Sequence, residues 1–161
     1  MYELVLDAML GKEARWLRVL GVSVYYSPSA SDKELLELAK RFNAVLVTRD
    51  RQLYLTAKAK GVKALLIERE GVNAFLKSVS RRLGIRLEID LNSTRCPLCN
   101  AKLRRATKLE VSARVPREVL ERYEVFLVCP SCGHVYWPGT HLARMREILR
   151  RIREGSEVEA K

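Results

Sequence analysis

Four cysteines fall in two pairs, Cys96-Pro97-Leu98-Cys99-Asn100 and Cys129-Pro130-Ser131-Cys132-Gly133, with 29 residues between the pairs. Two residues between cysteines let a tight turn aim both thiolates at one ion. Asn100 and Gly133 are residue types that tolerate the left-handed backbone such a knuckle needs. Together Cys96, Cys99, Cys129 and Cys132 supply the tetrahedral sulfur set of a zinc site. A rubredoxin-like iron centre would use the same sulfurs, and two disulfides the same residues. Disulfides require an oxidising compartment, and the opening Tyr2-Glu3-Leu4-Val5-Leu6-Asp7 lacks the basic-then-apolar form of a secretion signal. Four thiolates leave no open position, so the zinc reading is a structural one, with His134 outside the ligand set.

Three acids form a second candidate constellation. Asp7 ends an apolar run at Leu4–Leu6, Asp32 sits where a loop enters a helix, and Asp50 follows another apolar run in Thr48-Arg49-Asp50. In a parallel sheet all three project from the carboxyl edge of the strands, where open α/β folds bind ligands. Carboxylates gathered there are hard oxygen ligands suited to Mg²⁺ or Mn²⁺, and such an ion can activate water against a phosphodiester. Each acid also stands near a helix start, where Asp caps backbone N–H groups. Glu34 is close enough in sequence to assist, whereas Glu13 and the remaining acids of this half are expected in solvent. Lys12, Arg15 and Arg18 repeat along one side of the first helix, and Arg49 and Arg51 flank Asp50. A cationic rim beside carboxylates suits a phosphate backbone; solvated helix faces with pairs such as Arg15 to Asp7 or Asp50 are the alternative.

The elements that must position these groups follow from periodicity. Strands are predicted at 4–6, 22–26, 44–48 and 62–67, with a short fifth at 85–89. Helices are predicted at 9–20, 31–42, 50–60 and 73–83, with Ser31 and Glu34 as a capping box. Alternating strands and helices indicate a mostly parallel sheet covered on both faces. From Arg95 the pattern changes to β-like segments at 106–111 and 123–128, a short helix after Pro116, and a last helix over 141–153. Leu142, Met145, Ile148, Leu149 and Ile152 give that helix an apolar stripe, and its arginines, Arg144 among them, the outer face. Tyr136 and Trp137 could stack on bases. His141, at the start of the last helix, could cap, pack or touch RNA. The predicted domains are 1–92 (α/β), 93–140 (zinc ribbon), 141–155 (terminal helix) and 156–161 (flexible tail).

Leu6-Asp7-Ala8-Met9-Leu10-Gly11 with Ala14-Arg15-Trp16-Leu17-Arg18-Val19-Leu20-Gly21 resembles the opening of the PIN-like ribonuclease family known as the Mut-seven C-terminal domain. Asp32-x-x-Leu35-Leu36-x-x-Ala39 and Leu46-Val47-Thr48-Arg49-Asp50-Arg51 resemble its next two blocks. Arg95-Cys96-Pro97-x-Cys99-Asn100 and Cys129-x-x-Cys132-Gly133-x-Val135-Tyr136-Trp137-x-Gly139-x-His141-x-x-Arg144-Met145 resemble its fused zinc ribbon. The resemblance spans nearly the whole chain. It implies a PIN-like three-layer α/β sandwich with a small C-terminal zinc ribbon and terminal helix. It also implies metal-dependent RNA cleavage with Asp7, Asp32 and Asp50 as Mg²⁺ or Mn²⁺ ligands. RNA contacts are expected from Arg15, Arg18, Arg49, Arg51, Trp137, His141 and Arg144. Many PIN nucleases carry another acid after the third, where this chain has Arg51-Gln52-Leu53.

Composition fits these readings. The 161 residues carry 30 Lys and Arg against 19 Asp and Glu, a net charge of +11. The excess is divided between 1–94 (16 basic, 11 acidic) and 95–161 (14 and 8), so it is no single basic tail. A basic surface favours polyanion partners, RNA or a ribosome, and a cytoplasmic setting is expected. Apolar runs are too short for a membrane span. No Walker A loop, G-x-G-x-x-G fingerprint or G-x-S-x-G elbow occurs. A phosphatase using Asp7 would want an acid two residues on, where Met9 stands. The alternative of another class is a non-catalytic RNA- or ribosome-binding protein with a residual acidic site.

Overall fold

The computed structural model describes residues 1–155; the tail predicted at 156–161 lies outside the described residues. Four short strands, β1 (Leu4–Leu6), β2 (Val24–Tyr25), β3 (Val45–Thr48) and β4 (Ala64–Leu66), form one sheet in the order β2-β1-β3-β4. All three pairings are parallel. The chain leaves β1 in one direction to make β2, then crosses back over β1 to make β3. The topology therefore reverses between β1 and β3, the position at which doubly wound sheets open a crevice at their carboxyl edge.

Alternation along the strands divides the core in two. Leu4, Leu6, Val47 and Leu65 face a layer built from α1 (Gly11–Val19) and α4 (Val72–Leu83), while Val5 and Leu46 face α2 (Asp32–Phe42) and α3 (Arg51–Ala59). Helices on both faces satisfy strands that are apolar on both sides. Ser31 and Glu34 make the expected capping box on α2, and Asn43 ends that helix in the left-handed conformation (φ 52°). Gly11 matters for space rather than for dihedral freedom: a Cβ there would sit 2.7 Å from the Tyr26 hydroxyl. That hydroxyl donates to the Ala8 carbonyl, pinning the turn after Asp7.

Beyond residue 94 a three-stranded antiparallel sheet, β5 (Arg104–Ala106), β6 (Phe126–Val128) and β7 (Val135–Tyr136), carries the second cysteine pair at one end. Short helices α5 (Lys108–Val111) and α6 (Arg117–Arg122) lie between β5 and β6, and α7 (Thr140–Arg153) closes the described chain. Met145, Ile148, Leu149 and Ile152 of α7 enter the same core as α1 and α4. The terminal helix is thus packed onto the α/β body, with the ribbon between them in sequence.

Two predicted elements are corrected. Residues 85–89 are not a strand, although Leu87 is buried and Ile85 and Ile89 are half-buried against the α1/α4 layer. Their alternation reflects burial alone, because the Leu87 and Ile89 carbonyls accept from Arg153 and Arg146 of α7 rather than from a neighbouring strand. Residues 106–111 are not one β segment. Thr107 and Glu110 form a second capping box that turns the chain into α5 directly after Ala106. Glu13, expected in solvent, is buried in the first turn of α1, where the helix dipole favours an acid.

Candidate active site and metal centre

The register of β1 and β3 pairs Leu6 with Val47. One step further along each strand, Asp7 and Thr48 become neighbours on the same face. Both are buried: Asp7 is 6% exposed and Thr48 fully enclosed. The Thr48 hydroxyl donates to Asp7 Oδ2 at 2.6 Å and accepts from the Asp50 N–H at 2.9 Å. Asp7 Oδ1 accepts from the Ala8 N–H at 2.7 Å. One hydroxyl therefore ties the first acid to the backbone of the third. In the sequence Thr48 is marked only by its position two residues before Asp50, at the end of an apolar run.

The capping alternative holds for one acid of the three. Asp50 is the N-cap of α3, with Oδ1 accepting from the N–H groups of Gln52 and Leu53. Its Oδ2 accepts no hydrogen bond among the described residues. Asp32 is relieved of capping by Ser31 and also makes no side-chain hydrogen bond there. Asp7 lies before the α1 N-cap, which is Leu10. Asp32 is exposed, yet the partial desolvation of its carboxyl, followed by the charges of Asp7 and Asp50, raises its pKa above the ordinary value. The three acids thus share one electrostatic neighbourhood at the carboxyl edge. None is in an ion pair among the described residues, where all seven such pairs involve residue 86 or later.

The fit of this set to a divalent cation rests on donor chemistry. It offers hard carboxylate oxygens, two of the three acids have oxygens without hydrogen-bond donors, and no cation neutralises them. The carboxylates are not gathered within 4.8 Å of one another, a closeness reached among the described residues by the four cysteines alone. Arg49 and Arg51 line a cleft of about 530 Å³ together with Met9, two residues beyond Asp7. Arg15 is exposed on α1 and forms no ion pair with Asp7 or Asp50.

Arg18 does not belong to that rim. It is 6% exposed, and its guanidinium donates to the Val24 carbonyl at 2.9 Å and to the Pro97 carbonyl of the first knuckle at 3.0 Å. Helical periodicity put it on the side of Lys12 and Arg15, but the ribbon covers that end of the helix. Burial lowers its pKa, with Cys99 first among the neighbours that oppose the shift. Asn100, left-handed at φ 74°, accepts from the Val24 N–H at 2.8 Å and donates to the Ser23 hydroxyl. Arg18 and Asn100 together occupy the N–H and C=O of the same residue on edge strand β2. Trp137 is half-buried and packs against Phe126 and the ribbon core. His141 and Arg144 are exposed on the first turns of α7.

The four cysteine sulfurs all lie within 4.8 Å of one another, with Cys96–Cys132 at 3.6 Å and Cys99–Cys129 at 3.3 Å. Sulfurs around a tetrahedral zinc stand about 3.8 Å apart, far beyond the roughly 2 Å of a disulfide. The thiols are unbridged, and the cluster could hold a metal ion. Around it, the Tyr136 hydroxyl reaches Cys96 Sγ at 3.2 Å and His134 Nδ1 reaches Cys132 Sγ at 3.1 Å. Such outer contacts orient thiolate ligands. Burial pushes the Cys129 thiol up, but N–H groups of Cys132 and Ser131 and the Cys99 thiol outweigh it and bring it to about 7.

No curated protein and no solved structure matches the chain. The family model of the Mut7-C RNAse domain matches residues 2–149. That span takes in the acidic edge, the cysteine cluster and most of α7, and the chain belongs to the Mut7-C RNAse domain family.

Proposed function

We propose that the chain is a metal-dependent ribonuclease. Its acidic edge would hold Mg²⁺ or Mn²⁺ through Asp7, Asp32 and Asp50, and its cysteine cluster a structural zinc. The observation that carries this reading is the pair Asp7 and Asp50 at the ends of β1 and β3, with Asp32 near enough to feel their charge and none of the three in an ion pair among the described residues, within a chain of net charge +11. A divalent ion there supplies a more acidic water and offsets charge on the phosphodiester under attack. Thr48 fixes the Asp7 carboxylate, and the α3 N–H groups fix Asp50 Oδ1, so two ligands are preorganised by hydrogen bonds. Arg49 and Arg51 would neutralise the phosphate oxygens in the adjoining cleft, with Arg15 outside it. The zinc ribbon, docked through Arg18 and Asn100, holds β2 and the end of α1 in place.

RNA is the substrate class, and exposed His141 and Arg144 are available to it. Trp137 would act through the ribbon core rather than as an open stacking platform. Four unbridged cysteines suit a reducing cytoplasm, and no helix among the described residues is long and apolar enough to cross a membrane. Titrating zinc-replete protein with Mn²⁺ by calorimetry tests the acidic site. Binding lost in Asp32→Asn is expected; identical isotherms for variant and wild type would contradict the assignment.

A further inference from the structure

We infer that the acid-bearing edge continues into a phosphate-binding groove along α4, which takes one strand of a polynucleotide leading away from the cleavage point. This rests on the ribonuclease reading and extends it to a surface that the sequence motifs do not mark. The cleft beside the acids is lined by Arg49 and Arg51, and it shares Leu66, Ile67, Glu68 and Glu70 with a larger cleft of about 1140 Å³. The larger cleft runs from the β4–α4 connection along one face of α4, past Asn73, Lys77, Ser78, Arg81 and Arg82. The two depressions therefore adjoin at the β4–α4 connection.

The division of α4 explains why these residues face outward. Val72, Phe75, Leu76 and Val79 are buried in the core, so half-buried Lys77 and exposed Arg81 lie one turn apart on the opposite side, while the Asn73 side-chain oxygen at the start of that face is itself buried. From Lys77 to Arg82 the helix rises about 7.5 Å, which spreads three cations over more than one turn of the groove wall. With Arg69 on the connection, the larger cleft carries four basic side chains against Glu68 and Glu70. No ion pair joins the two sets among the described residues. Four cations in one concave surface, Arg69, Lys77, Arg81 and Arg82, suit the charge of a phosphodiester backbone, whose neutralisation dominates nucleic-acid affinity. The proposed occupant is a single strand, whose phosphates can follow a wall of one helix, and a duplex is the contrasting ligand in the test.

The test uses zinc-replete full chain in buffer without Mg²⁺ or Mn²⁺, with fluorescent single-stranded RNA of 5 and 20 nucleotides, a 20-nucleotide DNA strand and an RNA duplex. The triple variant Lys77→Gln/Arg81→Gln/Arg82→Gln keeps good helix formers on α4. A control variant, Lys102→Gln/Arg117→Gln/Arg122→Gln, removes the same charge from the ribbon. The groove predicts tighter binding of the 20-mer than of the 5-mer. That length advantage should shrink at least tenfold in the α4 variant, with the salt slope of log K falling by about 2. The DNA strand should follow the RNA strand, because the contacts are to phosphates, and the duplex should bind more weakly than either. Equal losses in the control variant, or an α4 variant that binds like wild type while wild type binds RNA, would overturn the groove alone. A wild-type protein without affinity for any strand would overturn both the groove and the ribonuclease reading.

Discussion

The Thr48 hydroxyl donates to Asp7 Oδ2 at 2.6 Å while accepting from the Asp50 N–H at 2.9 Å, joining the ends of β1 and β3 through one buried oxygen. Replacing Thr48 with Val keeps the shape and deletes the hydroxyl, leaving a buried carboxylate oxygen and a half-buried N–H without that partner. The expected cost is about 1–3 kcal/mol in denaturant unfolding. Mn²⁺-dependent cleavage should fall further than stability alone explains, and Thr48→Ser should restore most of both.

Asp32 supplies a pH test. Its pKa is raised in the fold by partial desolvation and by the charges of Asp7 and Asp50. A raised carboxyl pKa means that the folded state holds its proton more tightly than the unfolded chain does. Stability from this group is therefore full at pH below the unfolded value of about 3.9 and is lost as pH rises through the folded value. Asp32→Asn should melt higher than wild type at pH 7 without divalent metal, and the gap should close toward pH 3.5. Added Mn²⁺ should reverse the order at pH 7. A gap that widens on acidification would contradict the repulsion described for this edge.

Arg18 is predicted to be a structural residue coupled to the metal centre. A tetrathiolate zinc carries a net charge of about −2, and Arg18 lies beside that knuckle with no carboxylate partner among the described residues. Arg18→Gln should lower stability by about 2–4 kcal/mol and speed zinc loss to a chromophoric chelator. Arg18→Lys should not rescue, since an ammonium lacks the planar fork that serves the Val24 and Pro97 carbonyls together.

Tyr136→Phe removes the O–H aimed at Cys96. Zinc affinity should fall about 10- to 100-fold, read by competition with a chelator. Complete zinc removal should unfold the ribbon, because site formation and folding are one equilibrium. Near-ultraviolet circular dichroism from Tyr136 and Trp137 would report that loss.

Much of this arrangement is legible in the residues. The runs ending at Asp7 and Asp50, the Ser31–Glu34 box and the two cysteine knuckles are local signals, set by spacing within a few positions. What escaped depends on long-range partners. The segment 85–89 alternates like a strand because odd positions pack into the core, yet its carbonyls are taken by arginines some sixty residues later. Arg18 reads as a rim cation until the first knuckle is placed over it. Thr48 reads as an ordinary strand residue until the β1/β3 register sets it against Asp7. The capping box at Thr107-Lys108-Leu109-Glu110 is a local signal that overrides the β-like character of the residues around it.

The most direct measurement is Mn²⁺-dependent cleavage of single-stranded RNA by zinc-replete wild type, Asp7→Asn and Asp50→Asn, each shown by circular dichroism to be folded. The acidic-edge account predicts cleavage by wild type and a loss of at least 100-fold in both variants, with RNA affinity retained. Equal cleavage by wild type and variants, or tight RNA binding by wild type with no cleavage at all, would contradict it.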